Sequence, residues 1–103
     1  MPTIEQLERA LAADPEDAFI LYGLAQEHAK AGHTDDALAF FDRCLQSDPS
    51  YCYAYYHKAK ALEAAGRADE AITVLQAGAD AASEHRDAKA QSEIAEYLAS
   101  LGA

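Results

Sequence analysis

The 103-residue chain is half hydrophobic, which suffices for one modest core and predicts a single domain over residues 1–103. Asp and Glu number 18 against 8 Lys and Arg, so the formal net charge at pH 7 is −10. Nucleic acid is therefore not an expected ligand, because binding to phosphate backbones depends on basic side chains. The sequence has neither the apolar run of a membrane span nor the start of a signal peptide, so we expect a cytoplasmic protein without membrane contact.

Apolar residues recur at helical spacing along the chain, and no segment alternates as a strand would. The sequence therefore predicts an all-α fold of about six antiparallel helices. Their predicted ranges are residues 3–13, 17–31, 35–47, 51–65, 69–82 and 86–101. The first and last helices each carry one narrow apolar stripe, which is typical of an end helix that faces water on its other side.

Residues 14–49 reappear as residues 48–83 with a constant offset of 34. The corresponding pairs include Asp14/Asp48, Pro15/Pro49, Ala25/Ala59, Gly32/Gly66, Ala37/Ala71 and Phe41/Leu75. A fixed period of this length indicates supersecondary units that bury their apolar faces by stacking, and such stacks usually offer a long binding surface.

The turns inside the two repeats share one pattern. Gly32 and Gly66 are predicted to end a helix, because a left-handed residue is cheap only without a Cβ. Asp35 and Asp69 stand where the next helix is predicted to begin and are the expected N-caps. The acidic residue after each Asp adds negative charge at the positive end of the helix dipole.

This pattern resembles the tetratricopeptide repeat (TPR) family, whose helix-turn-helix unit has the same period. The first unit reads Leu21, Leu24, Ala25, His28, Gly32, Ala37, Phe41, Cys44 and Pro49. The second reads Tyr55, Lys58, Ala59, Leu62, Gly66, Ala71, Leu75 and Gly78, with Ser83 in place of the closing Pro. The resemblance implies a helix-turn-helix repeat solenoid with an N-terminal half-repeat over residues 1–15, repeats over residues 16–49 and 50–83, and a capping helix over residues 84–103.

In the TPR family, the first helix of each unit faces an inner concave groove. The resemblance places an aromatic and nearly acid-free face there, and aromatic side chains dominate interface energetics. The predicted partner-binding residues are Phe19, Tyr22, Gln26, Lys30, Tyr53, Tyr56, His57 and Lys60. In the alternative interpretation, the C-terminal helix folds over this groove and Tyr53 and Tyr56 belong to the core.

The resemblance implies a protein-interaction module or scaffold that binds a peptide or partner helix of another protein. The alternative is a self-associating structural subunit that forms homo-oligomers through its terminal repeats. TPR grooves that hold chaperone C-terminal carboxylates use Lys and Asn at positions that are Tyr22, Gln26 and His57 here. That clamp is absent, so we expect a more apolar ligand.

The acid excess has three interpretations: a surface that keeps the protein soluble, a basic partner, or adaptation to high salt.

No enzyme is predicted, because the sequence has no glycine-rich phosphate loop, GxSxG elbow or HExxH motif. Cys44 and Cys52 are interpreted as structural thiols. The four histidines share no metal-ligand spacing, and His28 stands at a buried aromatic position of the repeat. We therefore predict no catalytic residue, no metal ligand and no cofactor.

Overall fold

The computed structural model describes residues 2–103, which form six α-helices and no β-strand. The helices are α1 (Ile4–Ala13), α2 (Ala18–Lys30), α3 (Thr34–Ser47), α4 (Cys52–Ala64), α5 (Ala68–Glu84) and α6 (Ala88–Ser100). Every boundary lies within two residues of its predicted position. The all-α prediction is confirmed.

Two compact units divide the chain, the first ending at Pro49 and the second running from Ser50 to Ala103. In the first unit, α2 packs along α3 and α1 packs on α2. In the second unit, α4 packs along α5, and α6 packs mainly on α5 while also touching α4. The assignment of residues 1–103 to one domain with two repeats and two end helices stays a prediction.

Each unit has its own set of buried side chains. In the first unit these are Leu21, Leu24, Ala25, His28, Ala37, Phe41 and Cys44. In the second they include Cys52, Ala54, Ala59, Leu62, Ala71, Leu75, Ala82, Ala90 and Ile94. Several of these positions hold alanine, so the paired helices can approach closely, because the side chains at a crossing set the distance between helix axes.

The turns after α2 and α4 close in the same way. Gly32 and Gly66 have positive φ angles of 81° and 78°. The N–H of the next residue then donates to a carbonyl in the last turn of the helix, His33 to His28 at 2.9 Å and Arg67 to Leu62 at 2.8 Å. This is the Schellman arrangement, and it confirms the predicted helix-ending role of both glycines.

The predicted N-caps of α3 and α5 are wrong. His33 and Arg67 occupy the N-cap positions without a side-chain hydrogen bond to the helix, and Asp35 and Asp69 lie inside the first turn. The reason is that the turn leads into the next helix one residue earlier than predicted. The acidic residues of both first turns remain favourably placed at the positive end of the dipole.

Side chains do cap three other helices. Thr3 and Gln6 form a reciprocal capping box at α1, with bonds of 3.1 and 2.9 Å. Asp17 accepts from the N–H of Ile20 at 3.1 Å, and Asp87 accepts from the N–H of Ala90 at 3.0 Å. These caps fix where α1, α2 and α6 begin.

The turn after α5 closes in the same way as the two glycine turns but without glycine. Arg86 has a positive φ of 57°, in the same left-handed region as Gly66 after α4, whose φ is 78°. We expect Arg86→Gly to stabilise the protein by about 0.5–1 kcal/mol, because a residue with a Cβ is strained in this conformation. Urea denaturation measures the free energy of unfolding.

Gly66→Ala is the matched control, because a Cβ at Gly66 would meet nothing within 4 Å and only the backbone is affected. This substitution should lower the free energy of unfolding by about 1 kcal/mol. Equal stability of Arg86→Gly and the parent chain would show that this turn is not strained.

Two glycines lie inside helices, and replacing them by alanine is expected to change the stability of the protein in opposite directions. A Cβ on Gly78 would lie 2.7 Å from Tyr55 Cβ and 3.3 Å from Ile94 Cδ1, so α5 would have to move away from its neighbours. A Cβ on Gly23 would lie 3.5 Å from the Leu7 side chain, an ordinary contact. We expect Gly78→Ala to cost about 1–3 kcal/mol through overpacking, and Gly23→Ala to gain about 0.5–1 kcal/mol through helix propensity.

Thermal and urea unfolding of the two variants, followed by circular dichroism, provide the test. A stabilising Gly78→Ala would mean that the close approach of α4 and α5 is not as described.

Candidate functional site

The exposed face of α2 carries the first half of the predicted site. Phe19, Tyr22 and Gln26 follow one another at helical spacing, so they lie on one side of the helix. The Phe19 side chain is 74% exposed. Tyr22 is half-buried, and its ring meets the buried Phe41 ring edge-on at 6.3 Å. Gln26 Nε2 donates to the Tyr22 hydroxyl at 3.2 Å, so Tyr22 is held in place while Phe19 projects into solvent.

Lys30 lies at the end of the same helix. Its Nζ is 3.0 Å from Glu27 Oε2, a pair one helical turn apart. Both residues also line an open depression of about 600 Å³ with the start of α1. An exposed pair of this kind contributes little to stability, and Glu27 partly neutralises the lysine charge that the sequence analysis assigned to ligand binding.

The aromatic face of α4 carries the second half of the predicted site, and α6 covers part of it. The Tyr97 ring meets the Tyr56 ring edge-on at 5.2 Å, and the Tyr97 hydroxyl donates to Glu63 Oε1 at 2.6 Å. Tyr53 meets the other side of this group, 6.4 Å from the Tyr56 ring. Tyr56 is thus in contact with the C-terminal helix, and the alternative in which that helix folds over the groove stays a prediction.

Burial changes the titration of this tyrosine group. It raises the pKa of Tyr97, with the bond to Glu63 as a second cause, and it raises the pKa of Tyr53, where Glu93 is the second cause. The Tyr53 hydroxyl is inaccessible to solvent and has no hydrogen-bond partner within residues 2–103. Both phenols therefore stay neutral at physiological pH.

His57 and Lys60 complete the predicted set. His57 is half-buried against Tyr56, with ring centroids 5.3 Å apart. Burial lowers its pKa, and the nearby Lys60 charge lowers it further, so His57 is neutral at pH 7. Lys60 is exposed, with its Nζ 5.3 Å from the centroid of the Tyr56 ring.

The predicted residues thus differ in accessibility. On α2, Phe19 is open to solvent. On α4, Tyr56 contacts both Tyr53 and Tyr97. Tyr97 is not among the predicted site residues. Its hydrogen bond to Glu63 joins residues 34 positions apart, so it gives no local signal in the sequence. The assignment of all eight residues to a binding site stays a prediction.

A second group of polar side chains meets at the turn between α2 and α3. His28 Nδ1 lies 3.1 Å from His33 Nδ1, and a carboxylate oxygen of Asp36 completes a set in which all ligand atoms lie within 4.8 Å of one another. His28 is buried and stacks on Phe40, with ring centroids 5.4 Å apart, as its repeat position predicted. The sequence analysis missed this group because H-x4-H-x2-D is not a familiar ligand spacing; the Schellman turn at Gly32 was the available signal.

Both cysteines are buried and form no disulfide. Burial raises the pKa of Cys44 to about 11, and the Asp48 carboxylate acts in the same direction. A neutral, inaccessible thiol is a poor nucleophile. The structural interpretation of Cys44 is therefore favoured over a redox role.

Because the Cys44 pKa is raised from 9.0 to about 11, folding disfavours the thiolate. The stability associated with the neutral thiol is complete below pH 9 and is lost as the pH rises toward 11. We expect the free energy of unfolding to fall between pH 9.0 and about pH 11, and Cys44→Ala to lose less over this interval.

Urea titrations of both proteins at each pH give the two slopes. The tyrosines titrate in both proteins, so they cancel in the comparison. Identical slopes would show that Cys44 contributes nothing to the alkaline loss.

Repeated helical hairpins, each with a buried alanine pair and a glycine turn, define an all-α helix-turn-helix repeat protein. Two family models described as "Tetratricopeptide repeat" match the chain, one over residues 28–94 and the other over residues 1–53. The chain belongs to the TPR family, and the predicted fold class is confirmed.

Several solved structures resemble the chain along most of its length. The solution structure of a TPR domain protein from Salinibacter ruber is 39% identical, with a TM-score of 0.77 over 85% of this chain and 89% of that one. A Bordetella parapertussis protein is 25% identical, with a TM-score of 0.83 over 99% of this chain and 89% of that one. The TPR2B domain of yeast Sti1, in complex with pHsp70, is 23% identical, with a TM-score of 0.86 over 96% and 79%.

No curated protein matches the chain. Within residues 2–103, none of the helices is both long and apolar enough to cross a bilayer.

Proposed function

We propose that the chain is a protein-interaction module and that the α2 face defined by Phe19, Tyr22 and Gln26 binds a peptide of its partner. One observation carries this proposal. Phe19 is the one large hydrophobic side chain within residues 2–103 that is exposed, and it is 74% exposed. An exposed phenyl ring gains apolar contact when a partner covers it, whereas its present position contributes little to the core.

The surroundings of Phe19 suit a binding anchor. Tyr22, one turn along α2, is already fixed by Phe41 on one side and by Gln26 on the other. Tyr22 therefore loses little side-chain entropy when a partner packs on it. The polar ends of Tyr22 and Gln26 can also exchange hydrogen bonds with a peptide backbone.

The charge of the chain indicates the chemistry of the ligand. A net charge of −10 repels acidic ligands and attracts basic ones at long range. Lys30, the cation of the α2 face, is paired with Glu27. We therefore propose a peptide with one apolar anchor side chain flanked by Lys or Arg.

Family membership supports the general class of this function. TPR domains of yeast Sti1 that share the fold are solved in complex with pHsp70 and pHSP90. In this chain, Tyr22, Gln26 and His57 replace the carboxylate-clamp residues of chaperone-binding members, so an apolar anchor fits better than a carboxylate tail. Catalysis has no part in the proposal.

The predicted site residues of α4 contribute less to the proposed peptide-binding surface than those of α2. Tyr53 and Tyr56 are engaged within their own unit, and Tyr56 contacts Tyr97. Lys60 is exposed and remains available to a partner. We propose that truncation of Tyr56 acts on stability and truncation of Phe19 acts on binding.

Self-association is the second candidate function, and the same exposed phenyl ring favours it. A second copy of the chain would cover Phe19 as a peptide does, although two copies with like charge repel each other. Light scattering during size-exclusion chromatography distinguishes the two. A dimer that grows with concentration and disappears in Phe19→Ala would replace the peptide-binding proposal.

The direct test uses a phage-displayed library of random peptides, selected on the immobilised parent protein. We expect enriched peptides to share an apolar residue next to Lys or Arg. Fluorescence polarisation should show that Phe19→Ala weakens their binding about 30-fold, near 2 kcal/mol, with an unchanged melting temperature. Peptides that bind Phe19→Ala as well as the parent protein would contradict the proposal.

Tyr56→Ala is the matched control on α4. It removes the ring that contacts Tyr53 and Tyr97, so we expect it to lower stability by about 2–4 kcal/mol. Peptide affinity measured well below its melting temperature should be nearly unchanged. A large loss of affinity without a loss of stability would assign the binding surface to α4 instead.

A further inference from the structure

The turn between α2 and α3 places two imidazoles and a carboxylate together. His28 lies in the last turn of α2, His33 follows the left-handed Gly32, and Asp36 lies in the first turn of α3. The backbone bond from His33 to the His28 carbonyl closes the turn at 2.9 Å. The Schellman motif commonly brings the side chains of these two turn positions into contact, and here both are histidines.

The separation of the ring nitrogens matches the span of a metal ion. The two Nδ1 atoms are 3.1 Å apart. Two nitrogens bound to one tetrahedral Zn²⁺ at about 2.0–2.1 Å lie roughly 3.3–3.4 Å from each other. A small opening of the pair therefore admits the ion without moving either helix.

The third ligand needs a modest adjustment. An Asp36 oxygen and one ring nitrogen of each histidine all lie within 4.8 Å of one another. The Asp36 side chain is exposed, so a rotamer change can bring its carboxylate closer. His28 is held by its stack on Phe40, with ring planes 11° apart. One ligand is thus rigid and two can adapt.

The second repeat shows what this turn contains without the histidines. Thirty-four residues later, the positions of His28, His33 and Asp36 are Leu62, Arg67 and Glu70. Arg67 forms an ion pair with Glu70, and the backbone bond from Arg67 to Leu62 closes the turn at 2.8 Å. The same backbone therefore forms with an apolar residue and an ion pair, so the histidine pair is not required to close the turn.

We propose that His28 Nδ1, His33 Nδ1 and Asp36 form a three-ligand site for Zn²⁺. Three protein ligands leave a fourth position, which faces solvent because His33 and Asp36 are exposed. Imidazole nitrogens favour Zn²⁺ over Mg²⁺ and Ca²⁺, which prefer oxygen ligands. The site lies outside the surface proposed for peptide binding and does not depend on it.

Titration calorimetry of the folded protein with ZnCl₂ in a non-chelating buffer tests the proposal. We expect one equivalent of Zn²⁺ to bind and MgCl₂ to give no comparable heat. Ring-nitrogen NMR spectra should show the signals of His28 and His33 Nδ1 shifting on zinc addition, with those of His57 and His85 unchanged.

Two variants copy the second repeat and keep the turn intact. His28→Leu and His33→Arg should each weaken zinc binding by about 100-fold or more, since even loss of an outer-shell partner costs about 10–100-fold. Circular dichroism should show unchanged helix content. His57→Gln and His85→Gln are controls that should retain full affinity.

Two results would contradict the proposed zinc site. If zinc binds equally well to the parent protein and to the exposed-site variant His33→Arg, the ion lies elsewhere. If the parent protein gives neither a zinc-dependent heat nor an Nδ1 shift, the two histidines form a hydrogen-bonded pair only.

Discussion

The turn that closes each helical hairpin is the constraint on which the rest of the structure depends. A residue with positive φ ends the helix, and the N–H of the residue after it returns to a carbonyl of the last turn. The next helix then begins almost at once and runs back along the first. Only small residues such as Ala37 and Ala71 fit where the two helices meet, which explains the alanines in both cores.

Much of the fold could be predicted because its signals are local or periodic. The two glycine turns and the apolar spacing located every helix to within two residues. The caps of α3 and α5 could not be assigned by the same reasoning. Asp35 and Asp69 look like N-caps by residue type, but the backbone bond closing the turn leads His33 and Arg67 into that position. Cap preference is a weaker constraint than the geometry of the turn.

The candidate sites were less predictable because they depend on contacts between different helices. The aromatic residues of α2 and α4 look equivalent in the repeat, yet Tyr97 of α6 packs on Tyr56 while Phe19 stays exposed. The sequence offers no rule that places Tyr97 over Tyr56. Likewise, His28 and Asp36 are eight residues apart on different helices, and only the turn brings them together. Residue type identified the candidate site residues, but the packing between helices determines which of them are exposed and which lie together.

The two turns also show how this architecture tolerates change. One turn holds His28, His33 and Asp36, and its counterpart holds Leu62, Arg67 and Glu70, on the same backbone hydrogen bond. Because the main chain supplies the closure, the side chains at these three positions are not needed to close the turn. Point mutations can therefore exchange an apolar contact, an ion pair or a ligand set at a turn while the hairpin persists. A repeat built in this way can diversify its chemistry one loop at a time.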